Sequence, residues 1–179
     1  GLGLAIAQAY ASEGAAVVVA SRSEKSVASA VAGLQQAGAK AAGLAVDVGN
    51  LDDVVKLAAY ASATFGKLDI WVNNAGISSP FGPTASGNPK DFQQVIQTNI
   101  TGVYNGSRTA LEYFVAQGHG KLINMLGRGW RKPVPFQNAY ASSKAWVFSF
   151  TMALAEEYKE SGVGVYAFSP GMVLTDMLA

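Results

Sequence analysis

Apolar residues in this chain alternate between two arrangements. Short continuous runs rich in valine and alanine are separated by longer stretches in which apolar residues recur every three to four positions. A continuous run bounded by turn residues is the pattern of a strand buried on both faces. The three-to-four repeat is that of a helix with one apolar face. Leu4 to Ser12 reads as a helix ended by Glu13-Gly14, and Ala15 to Ala20 as a buried parallel strand. Ser21-Arg22-Ser23 is the turn after it. Glu24 to Ala37 is a helix with Val27, Val31 and Leu34 on one face. Lys40 to Val46 is of strand type and closes on Asp47. Asn50 or Asp52 caps a helix that runs to Phe65. Leu68 to Val72 is a strand leading into Asn73-Asn74-Ala75-Gly76, and residues 77–88 are a loop. Lys90 to Gln117 is helical, in two pieces meeting near Thr98-Asn99. Lys121 to Met125 is a strand, Leu126 to Phe136 a second long loop, and Asn138 to Glu160 a long helix. Val163 to Phe168 is the last strand, closed by Ser169-Pro170-Gly171. Strand and helix alternate throughout, which predicts an α/β fold with a parallel sheet and right-handed crossovers. Sites in such folds lie at the carboxyl ends of strands. The Asp47, Asn73-Asn74, Gly127 and Pro170-Gly171 segments are at such ends.

Composition narrows the function classes. The 179 residues are 50% hydrophobic and only 14% charged, and the formal net charge is +1. That is one domain, residues 1–179, with no basic field for nucleic acid. No run of about 18 apolar residues occurs, so no membrane span is expected. With no cysteine, disulfides, thiolate metal sites and a cysteine nucleophile are excluded. The single histidine, His119, reads as part of the turn before a strand, and no metal is expected. Gly1-Leu2-Gly3 opens directly on a helical pattern, and the chain stops at Thr175-Asp176-Met177-Leu178-Ala179. Both ends read as cut, so a fragment of a longer protein is expected.

Candidate chemistry is concentrated in Tyr140-Ala-Ser-Ser-Lys144. Residues four apart on a helix stand on one face. An ammonium close to a phenol favours the phenolate and is expected to lower its pKa, making the pair a proton donor and acceptor toward an alcohol or carbonyl oxygen. Gly1-Leu2-Gly3 fits the closing half of a glycine-rich turn that opens a helix and lets backbone N–H groups approach a pyrophosphate. In an NAD site an acidic residue after the second strand binds the ribose 2′-hydroxyl. Here Ser21 holds that place and Arg22 follows. Arginine pairs with a 2′-phosphate, which favours NADP over NAD. The alternative is a solvated arginine at a turn.

Taken together, Gly1-Leu2-Gly3, Asp47-Val48, Asn73-Asn74-Ala75-Gly76, Asn99, Tyr140-x-x-x-Lys144 and Pro170-Gly171 with Thr175 resemble the short-chain dehydrogenase/reductase family in order and spacing. The resemblance covers the whole chain. It implies a Rossmann-type doubly wound parallel sheet with helices on both faces, binding a dinucleotide. It implies hydride transfer between nicotinamide and a carbonyl or secondary alcohol. Tyr140 would be the general acid in reduction and the general base in oxidation. Lys144 would bind the nicotinamide ribose and lower the Tyr140 pKa, and Asn99 would help hold a water in a proton relay. Asp47 would contact the adenine, with Val48 lining its pocket. Asn74 and Ala75 would support the adenosine side, and Gly76 would allow close backbone approach. Pro170, Gly171, Val173 and Thr175 would embrace the nicotinamide and pyrophosphate. Asn73 reads equally as strand-end hydrogen bonding. Homodimers or homotetramers through the helices at 100–117 and 138–160 are a family expectation, as is a cytoplasmic location.

The chain departs from the family pattern at three points. The family usually has a serine 13 positions before its tyrosine, and here that position is Gly127. No serine or threonine occurs between Asn124 and Tyr140. Losing one oxyanion donor costs about 100- to 1000-fold in turnover, unless a backbone N–H, a water or Arg128 substitutes. The first strand and the opening half of the glycine turn are also lacking, as is the segment after Thr175. The substrate pocket is expected among Gly127, Trp130, Phe136 and Met172, an apolar set. Arg128, Arg131 and Lys132 would meet an anionic group or form a solvated loop. The leading expectation is an NADP-dependent oxidoreductase. Its rival is a dinucleotide-binding sensor or assembly protein that has lost much of its catalysis.

Overall fold

The computed structural model describes residues 1–171 and 173. Helix α1 spans Leu2–Ser12 and strand β1 Val17–Ser21. Helix α2, Glu24–Gln36, opens at Ser23, whose hydroxyl accepts the Ser26 N–H at 3.2 Å. Strand β2 is Ala41–Ala45. Helix α3, Leu51–Phe65, is capped by Asn50 rather than Asp52, since the Asn50 carboxamide accepts the Asp52 N–H at 2.9 Å. Strand β3 is Ile70–Asn73. Helix α4, Pro89–Ile96, begins with a proline where a missing N–H costs nothing. A π-helical turn, Gln97–Thr101, joins it to α5, Gly102–Gln117. That turn is the break expected near Thr98-Asn99. Strand β4, Gly120–Met125, helix α6, Asn138–Glu157, and strand β5, Val163–Phe168, complete the described elements.

All strand pairings are parallel. β1 pairs with β2, with Val17 opposite Ala41. β4 lies between β3 and β5, with Ile70 opposite Lys121 and Lys121 opposite Gly164. Among the described residues no strand pairs with the remaining edge of β1 or of β3. A shared core nevertheless joins the two groups of strands. Ala110, Leu111 and Phe114 of α5, Leu122 of β4, Leu154 of α6 and Val163 and Val165 of β5 form one cluster, and Val18 of β1 and Trp71 of β3 pack against it. Phe114 and Leu122 are fully buried, and each contributes about 2 kcal/mol of burial free energy. A second cluster, Ala7, Leu34 and Ala41, holds α1 and α2 to β2.

A buried polar chain fixes the carboxyl ends of β3 and β4. Asn73 Nδ2 donates to Asn124 Oδ1 at 2.8 Å and to Ser107 Oγ at 3.1 Å, while Trp71 Nε1 donates to Asn73 Oδ1 at 2.8 Å. Asn124 Nδ2 then donates to Thr151 Oγ1 on α6 at 3.0 Å. The Asn73 side chain is thus engaged in strand-end hydrogen bonding. Among the described residues no helix is long and apolar enough to cross a membrane.

Candidate active site

Helix α6 carries Tyr140 and Lys144 one turn apart, with the Lys144 Nζ 5.7 Å from the centre of the Tyr140 ring. Lys144 is only 4% exposed. Its Nζ donates to the Met125 carbonyl at 3.1 Å, at the end of β4. Burial disfavours the ammonium and brings its pKa down to about 8. Burial also raises the Tyr140 phenol above its usual value. The expected lowering of the Tyr140 pKa by Lys144 is therefore not what this geometry gives. Desolvation acts against the charged form of both groups.

The loop after β4 lies directly on this pair. The Leu126 N–H donates to the Phe168 carbonyl at 2.8 Å, carrying the ladder one residue past β4. The chain then turns at Gly127. A Cβ at Gly127 would stand 2.2 Å from the Tyr140 Oη, 3.1 Å from its Cζ and 3.3 Å from the Lys144 Cε. The Trp130 N–H closes the turn on the Gly127 carbonyl at 3.4 Å. Within it Gly129 has φ +103°, where L side chains are strained. A Cβ there would lie 2.5 Å from the Ala141 Cα. Both glycines let the loop backbone lie flat on the first turn of α6, with Arg128 exposed between them.

Asn99 and Gly76 close the cluster from the other side. Asn99 is fully buried in the π-helical turn. Its Oδ1 accepts the Ile77 N–H at 2.9 Å, and its Nδ2 donates to the Ile77 carbonyl and the Ser143 Oγ, both at 3.0 Å. Ser143 in turn donates to the Tyr140 carbonyl at 2.7 Å. A Cβ at Gly76 would be 3.5 Å from both the Asn99 Oδ1 and the Lys144 Nζ. Gly76, Asn99, Gly127, Tyr140 and Lys144 are therefore one contiguous group. Both Nδ2 protons of Asn99 are spent, so its carboxamide offers no further donor to a relay water.

The predicted cofactor residues line a separate part of the same strand ends. Gly1 caps α1, and a Cβ at Gly3 would stand 2.6 Å from the Asn74 Nδ2, so the start of α1 rests on the segment after β3. The first turn of α1 has no acidic residue and no side-chain cap. Its N–H groups form a positive end open to an anion. Ser21 ends β1 and its Oγ accepts the Ser23 N–H at 3.3 Å. Arg22 is exposed and has no carboxylate partner among the described residues. Asp47 Oδ1 accepts the Gly49 N–H at 2.9 Å. The Val48 carbonyl accepts from Asn105 Nδ2 at 2.9 Å. Ala75 is exposed, Pro170 and Gly171 follow β5, and Val173 is half-buried. Met172 and Thr175 lie outside the described residues. These features fit a dinucleotide: a helix end free of acid, a backbone approach kept open at Gly3, and an unpaired arginine after β1. Among the described residues no His, Cys, Asp or Glu side chains converge as a metal would need.

Of the predicted substrate residues, Trp130 packs on Phe148 with ring centres 4.8 Å apart and carries the Arg131 guanidinium 4.2 Å above it. Its ring is partly spent in packing. Phe136 is 58% exposed and has φ +64°, uncommon for a bulky residue. Its carbonyl accepts the Gly82 N–H at 2.9 Å, and Gln137 Nε2 donates to Ser78 Oγ at 2.9 Å. These bonds zip the two long loops together beside Tyr140. A hollow of about 620 Å³ lies elsewhere, between α2, β2 and Tyr60, and contains none of these residues.

A family model described as short chain dehydrogenase matches residues 1–179. The chain belongs to the short-chain dehydrogenase family. Its relatives include a probable chlorophyll(ide) b reductase, chloroplastic, from Oryza sativa subsp. japonica, 36% identical over 99% of this chain. The chain spans 39% of that protein's length. The 3beta-hydroxysteroid dehydrogenase 1 of Eggerthella lenta is 38% identical over 100% of this chain and 69% of its own length. The crystal structure of a gluconate 5-dehydrogenase from Burkholderia cenocepacia, in complex with NADP and tartrate, superposes with a TM-score of 0.92 at 29% identity. That match covers 99% of this chain and 69% of the other. The fold is accordingly the Rossmann-type α/β sheet of the short-chain dehydrogenases.

Several residues that hold the candidate site escape a reading by motif. Ser143 lies inside the Tyr140–Lys144 stretch, yet only the fold shows that it ties Tyr140 to Asn99. Asn105 and Gln97 hold the Val48 and Gly49 carbonyls, the latter at 2.7 Å. Neither stands out in sequence, since Gln97 follows Gln93 and Gln94 and precedes Thr98-Asn99, and Asn105 is followed by Gly106-Ser107-Arg108.

Proposed function

We propose that this short-chain dehydrogenase moves hydride between NADP and a small-molecule carbonyl or secondary alcohol. Tyr140 exchanges the proton. The observation that carries this reading is the pair on α6: a phenol and a buried ammonium facing a backbone loop at the carboxyl ends of the strands. When bound, the nicotinamide cofactor supplies or accepts the hydride. In reduction Tyr140 Oη gives its proton to the carbonyl oxygen as that oxygen gains charge. The phenol carries its proton at neutral pH whether buried or not, and burial, which disfavours the phenolate, makes a nearby positive charge necessary for the transfer. Lys144, with two of its three protons uncommitted to described residues, stabilises the phenolate left behind and returns a proton to it. In oxidation the steps reverse. The names of the relatives, a reductase and a dehydrogenase, support oxidoreduction. The neighbour's complex with NADP and the unpaired Arg22 support NADP over NAD. Copies would pair through α5 and α6, where Tyr104, Val115 and Met152 are exposed.

A second reading is favoured by one observation. Gly127 brings no hydroxyl to the substrate oxygen, so the protein would bind the dinucleotide and catalyse weakly. Replacing Tyr140 by Phe separates the two. On the leading reading, carbonyl reduction followed by NADPH absorbance falls by about 100-fold or more while NADPH affinity is kept. Unchanged turnover would remove Tyr140 from the mechanism.

A further inference from the structure

We propose that Gly127 is a positioning residue for Tyr140: its missing side chain is the space in which the phenol hydroxyl sits. On this view the glycine is not a lesion, and putting the family's serine there lowers activity instead of restoring it. The inference rests on the reading of Tyr140 as the proton donor.

The geometry is specific to this position. An added Cβ would approach the Tyr140 Oη to 2.2 Å, far inside van der Waals contact, and the Cζ to 3.1 Å. One of the two must move. The loop is held on both sides of Gly127. Leu126 is bonded to Phe168, the Gly127 carbonyl accepts the Trp130 N–H, and Gly129 rests on the Ala141 backbone. The free end of the contact is the Tyr140 ring. The same Cβ would stand 3.3 Å from the Lys144 Cε, so the ring has little room on the lysine side. The phenol hydroxyl must leave the position it holds beside Gly127. A serine at 127 would then bring a hydroxyl to the site while displacing the phenol that transfers the proton. Among the described residues no acceptor is found for the N–H of Gly127 or Arg128.

The test is a double-mutant cycle in the full-length protein, with Gly127→Ser, Gly127→Ala, Tyr140→Phe and the combination Gly127→Ala/Tyr140→Phe. Steady-state reduction and NADPH binding are measured for each. Both Gly127 variants are expected to lose about 100-fold in kcat, with KM and NADPH affinity within about twofold of the parent. In the Tyr140→Phe background Gly127→Ala should cost nothing further, because its effect runs through the phenol. Circular dichroism melts check that each variant is folded. If Gly127→Ala misfolds, Gly127→Ser alone carries the kcat comparison. Gly127→Ser raising kcat above the parent would overturn the proposal, as would losses from Gly127→Ala and Tyr140→Phe that multiply. If Tyr140→Phe itself leaves turnover unchanged, the functional reading fails first, and the cycle shows it.

Discussion

Lys144 gives the sharpest quantitative test of the site, through stability and not activity. Its ammonium is 4% exposed and has one described partner, the Met125 carbonyl at 3.1 Å. Burial takes its pKa from 10.5 to about 8. In the unfolded chain the lysine keeps its proton up to 10.5, whereas in the fold it loses it above about 8. Below pH 8 both states are charged and the fold bears the whole desolvation cost. At about 1.4 kcal/mol per unit, that cost is about 3 kcal/mol. Between the two pKa values the unfolded chain binds more protons, so stability rises with pH. Above 10.5 the cost is gone.

Lys144→Met keeps the stem and removes the charge. It also leaves the Met125 carbonyl without the lysine, an offset that is the same at every pH. The measurement is urea unfolding of the cofactor-free protein and the variant at pH 7 and pH 10, with slopes compared to confirm similar exposed surface. The parent should gain about 2.5 kcal/mol relative to the variant over that range. Tyr140 has its pKa raised and contributes in the opposite sense, but chiefly above pH 10, beyond the range compared. Two stability curves that run parallel from pH 7 to pH 10 would refute the buried-ammonium argument. Lys144 would then be hydrated in solution, and its role in returning a proton to Tyr140 would need another source.

Two further outcomes follow from the geometry. Arg22→Gln should weaken NADPH by about 10-fold and leave NADH unchanged, since a charge-assisted bond to a phosphate is worth about 1.5 kcal/mol or more; fluorescence titration of each nucleotide checks it, and equal weakening of both would sink the NADP assignment. Asn99→Ala should lower stability by about 2–4 kcal/mol in urea unfolding, because the Ile77 N–H and carbonyl and the Ser143 hydroxyl all lose a buried partner. A change below about 0.5 kcal/mol would show that water replaces those bonds.

The order of elements was legible because each strand is a short apolar run closed by a turn, and each helix carries its repeat and its cap. The capping choice between Asn50 and Asp52 was not, since both side chains can accept an N–H and only the backbone path decides. The break in the long helix was readable as a place but not as a kind. The π-helical turn at Gln97–Thr101 follows from where Asn99 must reach, and that depends on Ile77, twenty-two positions earlier in the chain. Ser143 and Asn105 were silent for the same reason. Their long-range partners, Asn99 in the π-helical turn and Val48 after β2, are brought near by packing of α6 and α5, and local pattern carries no trace of that.

The motif made the Tyr140–Lys144 pairing legible, but not the burial that acts on both groups. Spacing places the phenol and the ammonium on one helix face, and charge proximity alone argues for a lowered phenol pKa. Burial acts against that argument, and burial is set by segments far from α6: Met125 at the end of β4, Gly76 after β3, and the glycine turn at 127–130. Gly127 shows the same limit from the other direction. In sequence it is a missing serine and so a loss of function. In the fold it is the only residue type that leaves the Tyr140 hydroxyl where it stands, because even an alanine Cβ would fall 2.2 Å from it. A motif position can therefore be occupied by an apparent defect that the rest of the site requires. The two meanings differ in the direction that Gly127→Ser moves turnover.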